Sequence, residues 1–265
     1  MPPRLYKYEA FSPRAIENLK AQALYFGSPS NFNDPYDCAF IPNIRQPSDA
    51  EVEAVRRTYL DDPQTPSSAR AQFTTFSTEE LRQMLMRAGR SAFDHAVSDF
   101  INKRGVTCFS ERNDDLLMWS HYGGQYKGFC LEFDTAHTPF EKIKKVKYSK
   151  ELPSIDLAPL LVSDNYEQVL ELFSVKAEAW RYEDEWRAIH AEAGTLYTYP
   201  AESLTGVFFG PQIRDQALEI ICLILQGQNE SVRFWRGHRS TTEFKVVFEN
   251  FTYTSFLEAK RKGLR

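Results

Sequence analysis

The segment GFCLEFD, from Gly128 to Asp134, constrains the fold most strongly because Phe129, Leu131 and Phe133 alternate with other residues. Such alternation predicts a strand with one face buried in a core. Further strands are predicted at Arg4 to Glu9, Leu24 to Gly27, Val106 to Ser110, Lys145 to Ser149 and Asp184 to Glu192, and within TLYTY, TGVFFG, SVRFWRG and EFKVVFENFTYT.

Helical segments interrupt these strands at irregular intervals. One helix is expected from Pro13 to Ala23, because Ser12 and Pro13 suit an N-cap and a first helical position. Others are expected at residues 163–176 and in the apolar segment ALEIICLILQ. Since no GxGxxG motif, P-loop or regular βαβ period is present, we predict an α+β fold with mixed, largely antiparallel sheets.

A helical insertion is predicted at about residues 48–103, packed on the sheet within a single domain of residues 1–265. Ser48 with Glu51 and Ser77 with Glu80 both match the capping box that begins a helix. The segment DDPQTPSSARAQ, at residues 61–72, is expected to form a flexible surface loop.

The composition indicates a globular protein and excludes several functional classes. Hydrophobic residues at 42% and charged residues at 26% are ordinary globular values, and a net charge of -4 argues against general nucleic-acid binding. The four cysteines are widely spaced without a zinc pattern or a disulfide framework. No apolar run approaches the length of a membrane span, so we expect a cytoplasmic protein without membrane association.

Two polar clusters lie beside apolar segments. In NDPYD, Asn33 and Asp34 suit an Asx turn, which is the simpler interpretation of that segment. In DDLLMWSHYGG, the aspartates suit a helix start and the double glycine suits its end. On that short helix Trp119 and Tyr122 would share a face, with His121 to one side.

A third cluster, WRYEDEWR, begins at Trp180. If its second half is a strand, period-two alternation places Glu183, Glu185 and Arg187 on one face, with Trp186 on the other. An adjacent arginine could keep one carboxylate ionised while the other does chemistry. A solvent-facing ladder of charges explains the same pattern.

These motifs together resemble a bacterial family, domain of unknown function 2971. The resemblance rests on LYKY, NDPYD, CFS, WSHY, EDEWR and GVFFG in that order, over roughly Leu5 to Phe248. Members of the family share strand motifs that are similar to the three-strand signature of ADP-ribosyltransferases. There a first-strand Arg or His holds NAD, a second-strand Ser or a Tyr shapes the nicotinamide pocket, and a later Glu polarises the ribose.

Carried to this chain, the resemblance places Lys7 at the first position, Ser110 or Tyr122 at the second and Glu185 at the third. Lys7 departs from the pattern, since a lysine can pair with phosphate as a point charge but cannot make a planar bidentate contact. The catalytic residues implied are Glu185, Glu183 and His121. The residues implied in binding NAD are Lys7, Tyr8, Asn33, Asp34, Ser110, Trp119, Tyr122 and Arg187.

The favoured hypothesis is therefore an ADP-ribosyltransferase-like enzyme of a bacterial toxin or defence system that uses NAD as co-substrate and no metal. In such a reaction a carboxylate stabilises the positive charge that develops on the ribose. The ligand is expected to be a nucleotide-like small molecule, and the acceptor is open.

Two alternatives stay open at this point. One is a metal-dependent hydrolase or nuclease, in which carboxylates hold Mg²⁺ or Mn²⁺. The other is a nucleotide-binding module without catalysis. We predict that the site residues converge on one pocket: Asp34, Trp119, His121, Tyr122, Glu183 and Glu185.

Overall fold

The computed structural model describes residues 1–39, 42–158 and 171–263, which form an α+β fold as the sequence predicted. The chain divides into two compact units, each built from segments distant in sequence. The sheet unit comprises Met1–Gly27, Gly105–Val146 and Ala179–Arg265, and the helical unit comprises Ser28–Arg104 and Lys147–Glu178. The single domain predicted from sequence stays a prediction.

An eight-stranded mixed sheet forms the centre of the sheet unit, in the order β14-β13-β12-β5-β1-β4-β10-β6. Within the described residues its β12–β13 pair is parallel and its other pairs are antiparallel. Its strands are β1 (Arg4–Glu9), β4 (Gly105–Ser110), β5 (Phe129–Asp134), β6 (Lys144–Lys145), β10 (Glu185–His190), β12 (Leu204–Phe209), β13 (Arg233–Arg239) and β14 (Val246–Phe251).

The remaining elements of the sheet unit pack around this sheet. They are α1 (Pro13–Lys20), β2 (Ala23–Phe26), α5 (Leu116–His121), β11 (Thr195–Thr198), α6 (Asp215–Gln226) and α7 (Phe256–Arg261). The prediction for α1 was wrong at its end, because Gln22 adopts a left-handed φ of 51° and Ala23 begins β2. A helix cannot continue through that conformation at a residue with a side chain.

The two faces of the sheet carry different residues. Leu5, Phe133 and Phe209 point to one face, here called the core face, where α6 covers a large apolar cluster. The opposite face, here called the site face, carries a smaller cluster that includes Tyr8 and Phe208. The alternation read in GFCLEFD is confirmed, since Phe129, Leu131 and Phe133 all belong to the core face.

The helical unit contains α2 (Asp49–Asp61), α3 (Ser67–Thr75) and α4 (Thr78–Lys103). Both predicted capping boxes are confirmed, with Ser48 and Ser77 each accepting a hydrogen bond from the backbone of the glutamate three residues on. The loop predicted at residues 61–72 was wrong from Ser67 onward, because that segment forms α3. Phe73 of α3 is buried against α2 and α4, and this burial outweighs the turn-forming composition.

Short strands complete the helical unit: β3 (Asn43–Arg45), β7 (Lys147–Ser149), β8 (Ser154–Asp156) and β9 (Val175–Ala177). β3 pairs with β8 and β7 pairs with β9, both in parallel. The single strand expected from Lys145 to Ser149 is divided between β6 and β7. Of the helix predicted at residues 163–176, residues 163–170 lie outside the described residues, while Val175 and Lys176 lie in β9.

Candidate functional site

A sharp backbone bend at residues 183–185 leads into β10, and residues at the end of β4 hold it in place by hydrogen bonds. Ser110 is fully buried, and its hydroxyl donates a hydrogen bond of 2.6 Å to the carbonyl of Glu183. The N–H of Glu111 donates to the carbonyl of Asp184, whose φ of 42° lies in the left-handed region. These two bonds fix the backbone between the two glutamates, so Ser110 positions the bend.

Glu183 does not lie in the strand, and the prediction that it shares a face with Glu185 by alternation was wrong. It ends the 3₁₀ helix Glu178–Glu183, and the turn at Asp184 interrupts the period of two. Its carboxylate is nonetheless buried in the site, where the hydroxyl of Tyr122 donates to Oε1 at 2.6 Å. The tertiary hydrogen bond from Tyr122, and not strand alternation, therefore holds the Glu183 carboxylate in the site.

The helix α5 carries the aromatic side of the cluster. Asp115 caps it by accepting from the N–H groups of Leu117 and Met118, as the aspartates of that segment predicted. His121, at its end, is exposed and shares a hydrogen bond of 2.9 Å between Nδ1 and the hydroxyl of Tyr182. The rings of Trp180 and Tyr182 lie 6.2 and 6.0 Å from the imidazole.

Glu185 and Arg187 form a buried ion pair on the site face of β10. Arg187 Nε donates to Glu185 Oε1 at 2.6 Å and Nη2 donates to Oε2 at 3.0 Å. The two side chains are 4% and 0% exposed. Both oxygens of the carboxylate are thus held in one plane by the guanidinium, the strongest geometry for such a pair.

Strand register places Glu185 in a row with residues of neighbouring strands. Glu185 pairs with Ser110 on β4, and Ser110 pairs with Tyr6 on β1. Since residues paired directly across strands point to the same face, these three side chains share the site face. The spacing between strands puts Tyr6 and Glu185 about 10 Å apart at their Cα atoms.

Lys7 points the other way. It follows Tyr6 on β1, so its side chain lies on the core face, where Nζ is 5.7 Å from the ring of Phe109 and 3.7 Å from Glu9 Oε1. The role given to Lys7 beside Glu185 was therefore wrong, because adjacent residues of a strand face opposite sides of a sheet. Tyr8 does lie on the site face, but it is buried, and its hydroxyl donates to the carbonyl of Arg112.

Trp119 is a core residue. It is fully buried, its Nε1 donates to the carbonyl of Asn113 at 2.7 Å, and its ring packs edge-on to Tyr8 at 5.1 Å. A ligand ring can stack only on an exposed aromatic face, so the buried Trp119, which the resemblance implied in binding NAD, offers no face to a ligand. Its size and burial instead fix α5 on the sheet.

Asn33 and Asp34 lie in the helical unit. The Asx turn predicted there is confirmed, since Asp34 Oδ1 accepts from the N–H of Tyr36 at 2.9 Å. The other nine predicted site residues belong to the sheet unit. Convergence of Asp34 with them on one pocket stays a prediction.

Two residues of this face were missed by sequence reasoning, namely Tyr6 and Glu132. Glu132 is buried and pairs in register with Tyr6, whose hydroxyl donates to its Oε2 at 3.2 Å. Burial and the neighbouring Glu132 carboxylate raise the pKa of Tyr6 to about 12. The sequence signal for this position is in GFCLEFD, where Glu132 is a charged residue within a run of buried ones.

The described residues contain no group of three His, Cys, Asp or Glu side chains arranged to hold a metal ion. In the same residues no helix is long and apolar enough to cross a membrane.

Residues 118–188 match the model of a family described as Protein of unknown function (DUF2971). The match covers less than half of the chain. It spans most of α5, all of β5 and most of β10, and so includes the WSHY and EDEWR motifs on which the resemblance rested. No curated protein and no solved structure is significantly similar to the chain.

Proposed function

We propose that this protein is an ADP-ribosyltransferase-like enzyme that takes NAD as co-substrate at the Glu183–Glu185 bend. One observation supports this proposal above others. Tyr6, Ser110 and Glu185 form a single row on the same face of three adjacent strands, β1, β4 and β10. That arrangement resembles the three-strand signature, with Tyr6 in place of Lys7 on the first strand.

The carboxylates suit the charge that such a reaction develops. NAD supplies a ribose whose bond to nicotinamide breaks with the electron pair leaving on nicotinamide, so that positive charge develops on the sugar. A fixed carboxylate stabilises that charge without reorganising. Arg187 fixes the Glu185 carboxylate through two hydrogen bonds, and the Tyr122 hydroxyl orients Glu183.

His121 suits the acceptor side of the transfer. The acceptor nucleophile must lose a proton as it bonds to the ribose, and the imidazole of a histidine can act as the general base that takes that proton. Because Nδ1 is bonded to the Tyr182 hydroxyl and the side chain is exposed, Nε2 is the nitrogen directed toward an approaching acceptor.

A nucleotide-binding module without catalysis is the second candidate. Its support is the burial of the Glu185–Arg187 pair, whose side chains are 4% and 0% exposed. A carboxylate already neutralised by a bidentate arginine contributes structure whether or not chemistry occurs beside it.

Calorimetry with NAD, with Mg²⁺ and with Mn²⁺, followed by an assay of nicotinamide release, separates these functions. We expect NAD to bind and nicotinamide release to be lost in Glu183→Gln and Glu185→Gln. The control Glu192→Gln, at an exposed position just after β10, should keep the activity. At a hundred times its Kd, a native-state ligand should add about 2.7 kcal/mol of stability.

Binding of NAD without nicotinamide release would favour the binding module. No binding of NAD, alongside clear binding of Mg²⁺ or Mn²⁺, would overturn the proposal in favour of the metal-dependent hydrolase.

A further inference from the structure

The row through Glu185 and Tyr6 continues across the sheet. Tyr6 pairs with Glu132 on β5, Glu132 with Gly206 on β12, and Gly206 with Arg233 on β13. The row thus crosses six strands on the site face. Gly206 allows the Glu132 carboxylate to lie close over its backbone, because a Cβ there would be only 3.3 Å from Glu132 Oε1.

Glu132, the fourth residue of this row, hydrogen-bonds one arginine and lies beside a second. Its Oε1 accepts from Arg4 Nη1 at 2.6 Å and from the hydroxyl of Thr205 at 2.7 Å. Arg233 Nη2 lies 4.0 Å from the same oxygen. The carboxylate is 4% exposed, whereas the arginine side chains are 45% and 51% exposed. A buried anion therefore orients the Arg4 guanidinium, and the Arg233 guanidinium lies beside it, with both arginines facing solvent.

We propose that Arg233 and Arg4 form a subsite for the phosphate groups of a dinucleotide whose reacting ribose lies at Glu185. This inference rests on the proposed function and adds the ligand's second half to it. The Arg233 guanidinium makes no hydrogen bond within the described part of the chain, so its planar fork is available for bidentate contact with phosphate.

The charges around the two arginines determine what kind of anion this subsite would select. Glu132 and the nearby Asp134 offset the two arginines, and the hydrogen bond from Arg4 to Glu132 raises the pKa of that guanidinium. Because the local charge nearly cancels, the subsite holds an anion through directed N–H donors and not through a strong positive field. It would favour a phosphate delivered by a larger ligand over a free one.

The span of the row sets the size of that ligand. Three strand spacings separate the Cα atoms of Glu185 and Glu132, a distance of about 14 Å. Nicotinamide riboside is shorter than this span, and a dinucleotide with its pyrophosphate covers it. Residues distant from the reacting bond would therefore bind the phosphate-bearing half of the dinucleotide.

Calorimetry with NAD and with nicotinamide riboside on Arg233→Ala tests this assignment. Arg233 is preferred to Arg4 because its exposed side chain can be removed without breaking the 2.6 Å bond to Glu132. The matched control is Arg236→Ala, on the same strand but on the core face, where Arg236 pairs with Asp215 and is 47% exposed. Unchanged thermal unfolding would confirm that each variant is folded.

We expect Arg233→Ala to weaken NAD binding about tenfold or more and to leave nicotinamide riboside binding unchanged. Arg236→Ala should bind both ligands as the wild type does, and Arg233→Lys should recover part of the loss. NAD binding that is equal in the wild type and in Arg233→Ala would overturn the subsite and leave the proposed function intact. A wild-type protein that binds no NAD would overturn both.

Discussion

Glu185→Gln probes the ion pair at the centre of the candidate site. The change keeps the size of the side chain but removes the charge that faces Arg187, whose side chain is 0% exposed. Removing one member of a buried pair costs about 3–5 kcal/mol, because the remaining charge loses the partner that offset its desolvation. For a chain of this size, each kcal/mol lowers the Tm by about 2–4 °C, so we expect a decrease of about 6–20 °C.

Thermal and urea unfolding of three variants would measure this effect. Glu185→Gln and Arg187→Met should each destabilise strongly, and the double variant should be more stable than the sum of the two losses predicts. Glu192→Gln, at an exposed position, should change stability by no more than about 0.5 kcal/mol. A loss below about 1 kcal/mol in Glu185→Gln would refute the reasoning that this pair is a buried, mutually dependent unit.

Three further predictions concern single contacts. Tyr122→Phe removes the donor to buried Glu183 and should lower stability by about 1–3 kcal/mol in urea unfolding, whereas an unchanged midpoint would contradict that bond. Because the pKa of Tyr6 is raised to about 12, its stabilising contribution should be complete below pH 10 and lost as the pH rises to about 12. Unfolding measured across that interval should show a smaller loss in Tyr6→Phe than in the wild type, and equal losses would exclude the raised pKa. Ser48→Ala should cost about 1 kcal/mol through loss of the capping box of α2, as should Ser77→Ala in α4, and a change confined to one of them would contradict their equivalence.

The sequence by itself determined the features that depend on neighbours along the chain. The capping boxes at Ser48 and Ser77 were read correctly because side chain and backbone partners lie three residues apart. The Asx turn at Asp34 and the bounds of β1 follow from equally local preferences. The alternation in β5 identified its buried face for the same reason.

Only the tertiary structure decided which residues meet. Whether Tyr6 or Lys7 faces Glu185 depends on the register of three strands that are far apart in sequence, and a shift of one residue exchanges the two faces. The turn at Asp184 takes Glu183 out of the strand, and the Tyr122 hydroxyl then holds its carboxylate in the site. Burial of Trp119 likewise follows from packing against Tyr8. Such contacts join residues distant in sequence, so the spacing of residues along the chain does not specify them.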